Sequence, residues 1–292
     1  MLGWNVLTIL LGAVVRATGS GAGCGTHWPT CQGELVPALE GATAVEYTHR
    51  LASGVALLLV FALVIWVFRA RQAGDPARRG AVLAAVAVVL EAAIGATLVL
   101  FEWVGADSSA ARVVAVPMHL VNTLFLLASL TLTVFWLSGG GKLEWRNPGG
   151  WLVLGAGAIV VIFASGAVTA LADTLFPHGS AGEGLSGDVT EQEHFLTRLR
   201  FSHPVLAVVG AVAGLMAVRR SDRTEQPAAR LLVVLVAVQL GLGLLNISLG
   251  TPLWLQVLHL ALADAIWITF VWLSARLLSM APLPVVPSPT TG

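Results

Sequence analysis

The chain has 292 residues, of which 57% are hydrophobic and only 11% charged, and its mean hydropathy is +0.84. Sixteen Lys and Arg balance sixteen Asp and Glu, so the formal net charge is zero. Soluble domains carry about a quarter charged residues, so this composition excludes a soluble globular enzyme, a disordered chain and a nucleic-acid binder that works through basic charge. It describes a polytopic membrane protein in contact with lipid. Thirty-one Gly, and ten Trp against one Tyr, fit closely packed membrane helices with Trp near the interfaces.

A membrane helix needs about 20 mainly apolar residues. Read in chain order, eight spans are expected at about 2–17, 46–68, 80–101, 113–137, 151–172, 199–218, 230–249 and 254–278. The runs are apolar all round and do not alternate, so helices are expected and a barrel is not. The first span has neither a basic leader nor an A-x-A site, and so reads as a retained helix rather than a signal peptide. Arg69, Arg71, Arg78, Arg79, Lys142, Arg146, Arg219, Arg220, Arg223, Arg230 and Arg276 fall on one side of these spans. Arg16, Arg50, Arg112, Arg198 and Arg200 fall on the other, each near a helix end. The excess of basic residues places both termini in the cytoplasm. The polar loops 18–45 and 173–198 then face outward, the second reading as a solvated acidic cap.

The halves echo one another. Gly12-Ala13-Val14 matches Gly166-Ala167-Val168, Glu91 and Gly95 match Gln239 and Gly243, His49 matches His203, and Met118-His119-Leu120 matches Leu258-His259-Leu260. The register drifts only with loop length. Two similar four-helix bundles, residues 1–145 and 146–292, are expected as a parallel internal repeat about an axis near the membrane normal.

Of seven His, His27, His178 and His194 lie in the outward loops. The other four begin spans two, four, six and eight, so they share one depth. Each half thus offers two His from two parallel helices, which is what axial ligation of a planar macrocycle requires. Zinc fits poorly, because neither half supplies a third ligand at that level. Two bis-His haem-type sites are expected, one per bundle.

The surroundings of the His differ between halves. Glu46 stands three residues before His49, on the same helix face, and Arg50 follows it. At the position equivalent to Glu46 stands Arg200, three before His203. A carboxylate beside a macrocycle can take a proton or stabilise developing positive charge, whereas an Arg suits a propionate. The first half therefore reads as the chemical one and the second as a cofactor holder, with Arg50 and Arg200 as propionate partners or site support. Glu46 and Arg50 also suit a plain helix-start pair. Cys24 and Cys31, in an outward loop, read either as a structural disulfide or as a redox-active pair. Glu91 and Asp264 sit mid-span, where ionisable groups mark a proton path or make a packing hydrogen bond.

Gly19-Ser20-Gly21-Ala22-Gly23-Cys24, Pro29-Thr30-Cys31, Glu46-Tyr47-Thr48-His49-Arg50, Met118-His119, His203 and Leu258-His259-Leu260 together resemble the haem A synthase family over essentially the whole chain. The resemblance implies two similar four-helix bundles in a bacterial plasma membrane, with the Cys loop and both haem sites toward the extracytoplasmic side. It implies conversion of haem O to haem A, the ring C8 methyl becoming a formyl group through two hydroxylations and loss of water. It further implies His49 and His119 as ligands of the substrate haem O, His203 and His259 as ligands of a haem b cofactor, and Glu46 as the catalytic carboxylate. Cys24 and Cys31 correspond to the outward pair of the bacterial members, and haem O synthase and an electron donor are the implied partners. Pro117, two residues before His119, is expected to bend span four. Two other classes compete. A diheme quinol-oxidising cytochrome b subunit has no need of the Glu46 asymmetry and places its His near both faces. A parallel-repeat transporter needs broken helices at matched midplane positions.

Overall fold

The computed structural model describes residues 1–144, 149–177, 195–218 and 226–279. They are helical: α1 Leu2–Ala17, α2 Gly41–Ala70, α3 Pro76–Leu100, α4 Ala110–Leu137, α5 Gly149–Leu175, the short α6 Phe195–Leu199, α7 Ser202–Val218, α8 Gln226–Ser248 and α9 Leu253–Leu278. Seven helices among the described residues are long and apolar enough to cross a membrane, the fifth including both α6 and the start of α7, and α1 is a shorter apolar helix.

The expected spans are helical, except that the one at 199–218 is broken by a turn at Arg200 and Phe201 between α6 and α7, and several run further than the apolar stretch. Capping explains the extension. Pro76 opens α3 behind Asp75, whose carboxylate accepts a hydrogen bond from the Ala77 N–H at 2.8 Å, and the Ser109 hydroxyl accepts from the Arg112 N–H at 3.3 Å. α4 runs through Pro117 without interruption.

Small residues set the packing. Ala77, Ala81, Ala84 and Ala87 form a buried stripe on α3, the helix that packs most extensively on α4. Val60, Val88, Leu126 and Leu130 fill the core beside the last two of these. α1 packs on α2 and α2 on α3, while later in the chain α5 packs on α7 and α8 on α9. α1 and α4 meet α5 and α9 through a second core of Leu124, Leu127, Phe163, Trp267 and Val271. There the Trp267 Nε1–H donates to the Leu124 carbonyl at 2.7 Å, so the indole is satisfied inside an apolar contact. Large apolar side chains lie outside, among them Leu58, Leu154, Val205 and Leu244, each more than 60% exposed. Exposed apolar side chains on helices of this length fit a surface against lipid, and the chain is a multi-pass membrane protein.

Residues 173–198 depart from the expected loop. α5 continues to Leu175, so Asp173 is a helix residue paired with Arg200 rather than part of a solvated cap. His178, Glu183, Asp188, Glu191, Glu193 and His194 lie outside the described residues, as do Arg146, Arg219, Arg220 and Arg223.

Candidate haem sites

The four expected ligands line one continuous, mainly apolar cavity of about 1790 Å³. Each sits early in its helix, on α2, α4, α7 and α9 respectively. His203 and His259 face each other with ring centroids 6.4 Å apart and planes 80° apart. Two metal–nitrogen bonds of about 2 Å, together with half the width of each imidazole, span such a gap. His203 Nδ1 is held at 3.2 Å by both the Ile162 carbonyl and the Ser165 hydroxyl, which leaves Nε2 for another partner.

Glycines make room for all four rings. A Cβ on Gly12 would lie 3.0 Å from His49 Cε1, and one on Gly166 would lie 3.0 Å from His203 Cε1. The corresponding distance is 3.2 Å from Gly243 to His259 Cε1 and 4.0 Å from Gly95 to His119 Nε2. The His49, His203 and His259 rings thus lean on the backbone of a neighbouring helix where a methyl group would crowd them, whereas at Gly95 a methyl would make ordinary contact with His119.

The carboxylates take different places around the rings. Glu91 Oε2 lies against His119 Nδ1, within ion-pair distance, and Glu91 Oε1 accepts from the Thr123 hydroxyl at 2.8 Å. This pairing went unrecognised in the sequence because Glu91 and His119 are on different helices. Gln239 is the residue that the sequence echo matches to Glu91, and both Gln239 Oε1 and His259 Nδ1 are buried without a hydrogen bond among the described residues. His49 Nδ1 also makes none, although the Thr8 backbone lies beside its ring. Asp264 is fully buried, with neither oxygen hydrogen-bonded among the described residues.

Glu46 is buried and joined to the cysteine loop. Its Oε2 accepts from the Cys24 backbone N–H at 2.8 Å, and its Oε1 accepts from Arg50 Nε at 3.1 Å and Nη2 at 2.5 Å. Arg50 Nη1 donates to the carbonyls of His27 at 2.7 Å and Thr30 at 2.6 Å. Cys24 and Cys31 form a disulfide. The loop is therefore fastened over the start of α2 by the first and last residues of the Glu-x-x-His-Arg element, with Arg50 committed to Glu46 and the loop. Arg200 is likewise engaged, donating from Nη2 to the carbonyls of Ala172 at 2.7 Å and Phe176 at 2.5 Å and pairing through Nε with Asp173 at 3.1 Å.

The sequence matches the COX15-CtaA model, described as cytochrome oxidase assembly protein, over residues 1–44 and 38–271. A protoheme IX farnesyltransferase of Thermus thermophilus is 50% identical over 284 residues, which is 94% of this chain and 47% of the relative. A heme A synthase of Halalkalibacterium halodurans is 26% identical over 92% of this chain and 91% of the relative. One from an Exiguobacterium species is 35% identical over 47% of this chain and 43% of the relative. The chain spans about half the length of the Thermus relative. With the fold, the histidine-lined cavity and the whole-chain match in agreement, the chain belongs to the COX15-CtaA family of cytochrome oxidase assembly proteins.

Proposed function

We propose that this chain is a haem A synthase of the bacterial plasma membrane, working in haem A biosynthesis for cytochrome oxidase. It converts the C8 methyl of haem O to a formyl group through two hydroxylations, the resulting diol losing water. The observation that carries this reading is the asymmetry around paired His. The His49 and His119 pair has Glu46 and Glu91 beside it, while the His203 and His259 pair has Arg200 and Gln239 at the matching positions. His49 and His119 would hold the substrate, and His203 and His259 a haem b that supplies electron transfer when bound. The first site belongs to the bundle of residues 1–145 and the second to that of 146–292, two copies of one parallel repeat with both termini cytoplasmic and the cysteine loop extracytoplasmic.

The chain's own residues orient and hold. Glu91 fixes the Nδ1 side of His119, so Nε2 points at the cavity. Glu46, on the His49 face of α2, is the group placed to take a proton or balance charge at the reacting methyl. Apolar walls suit a prenylated porphyrin entering sideways from lipid.

The name of the Thermus relative favours a second reading, farnesyl transfer. Such chemistry handles a diphosphate, which proteins hold through Mg²⁺ and carboxylates. Here Asp75, Asp107, Asp173, Asp188, Asp222 and Asp264 stand apart in sequence, and Asp264 is fully buried. We therefore assign farnesyl transfer to the part of that relative this chain does not match, which makes a haem O synthase the natural partner. Extraction of pigment after expression with a haem O source tests both readings. Haem A with wild type, and its loss in Glu46→Gln with haem still bound, is the expected result. Haem O made from protohaem and farnesyl diphosphate by this chain alone would establish the second reading. Recovery of haem b alone, unchanged in Glu46→Gln, would leave a diheme electron-transfer subunit.

A further inference from the structure

We infer that Arg112 is the anion anchor of the first cavity site, binding a propionate carboxylate of the porphyrin that His49 and His119 hold. This inference rests on the haem reading above. Arg112 is 4% exposed and lines the cavity. It stands seven residues, or two turns, before His119, so both are on one face of α4 about 10 Å apart along the axis.

Its guanidinium is only partly used. Nη1 donates to the carbonyls of Gly105 at 2.8 Å and Asp107 at 2.6 Å, which fixes the plane of the group. Nε is buried with no hydrogen-bond partner among the described residues. The nearby Asp107 carboxylate is committed to the Ser109 N–H at 3.1 Å and hydroxyl at 2.7 Å. A buried cationic donor left without an acceptor is costly unless a ligand supplies one. Arg112 also lies within electrostatic reach of Arg16, another cavity-lining guanidinium. Arg16 donates to the Ala170 carbonyl at 2.5 Å, Thr174 Oγ1 at 2.6 Å and Gln256 Oε1 at 2.8 Å. The Asp173 carboxylate already acts on Arg16, so the buried Nε of Arg112 is the donor left for a ligand carboxylate. Arg50 and Arg200, the propionate partners expected from sequence, bond instead to Glu46, Asp173 and backbone carbonyls.

The test compares haemin with haemin dimethyl ester, titrated into the purified full chain in detergent, taking only the Soret change that is lost in His119→Ala. Wild type is expected to bind haemin at least about tenfold more tightly than the diester, as a charge-assisted hydrogen bond predicts. Arg112→Gln brings the two affinities within about twofold, and Arg112→Lys keeps part of the difference. Equal affinities in wild type, or an undiminished preference in Arg112→Gln, overturn the inference while leaving the haem reading intact. Absence of any His119-dependent binding in wild type overturns both.

Discussion

The Glu46 carboxylate accepts a hydrogen bond from the backbone N–H of Cys24 at 2.8 Å, so the loop closed by the disulfide and the acidic group beside His49 hold one another. Arg50 completes the clamp by joining the other oxygen of Glu46 to the carbonyls of His27 and Thr30. A guanidinium that donates from Nε and Nη2 to one carboxylate oxygen and from Nη1 to two carbonyls cannot be copied by an ammonium or an amide. Arg50→Gln is therefore expected to speed reduction of Cys24–Cys31 by a water-soluble dithiol about tenfold, as read by alkylation mass shift. Arg50→Lys should lie between. Identical reduction rates in all three proteins would show that the clamp does not restrain the loop.

Glu91 gives the second prediction. A carboxylate on the far nitrogen of a ligating imidazole fixes its tautomer and raises its basicity, and losing such a partner typically costs 10–100-fold in affinity. Glu91→Gln should weaken His119-dependent haemin binding by about that factor, and Thr123→Val by less, since the Thr123 hydroxyl meets the other Glu91 oxygen and the His119 backbone carbonyl rather than the ring. Gln239→Glu should leave His119-dependent binding unchanged. The measurement is the same Soret titration, and full affinity in Glu91→Gln would reduce the ion pair to a packing contact.

Asp264 is the third. A carboxylate inside a membrane helix with neither oxygen hydrogen-bonded is expensive. Asp264→Asn keeps the shape and removes the ionisable group. It should raise the melting temperature of the detergent-solubilised protein, or leave it unchanged. A lower melting temperature would identify Asp264 as a stabilising residue instead.

The helices and the four His were legible because both signals are local. Apolar length marks a span, and a lone His in such a run stands out. Glu91 with His119, Arg50 with the Thr30 carbonyl, and Asp173 with Arg200 were not legible, because each joins separate elements. Asp173 misled because the acidic residues that follow it suggested a loop, while pairing with Arg200 lets α5 run past its apolar stretch. The Gly-Ala-Val echo between residues 12–14 and 166–168 was visible as text, but its physical content was not. In both places the first glycine is where a His ring meets helix backbone.

That contact yields the last prediction. Gly12→Ala puts a methyl 3.0 Å from His49 Cε1, and Gly166→Ala puts one 3.0 Å from His203 Cε1. Each ring must shift by a few tenths of an ångström, and overpacking of this kind costs about 1–3 kcal/mol. Because a metal ligand tolerates little displacement, each variant should weaken only its own site, by roughly 10–100-fold. Gly166→Ala is then expected to purify with little haem b while retaining His119-dependent haemin binding, and Gly12→Ala to show the reverse. Pyridine haemochrome content per chain and the Soret titration read the two sites separately. Equal losses at both sites from either substitution would mean that the four His serve one shared centre, because two independent sites cannot both answer to one methyl group.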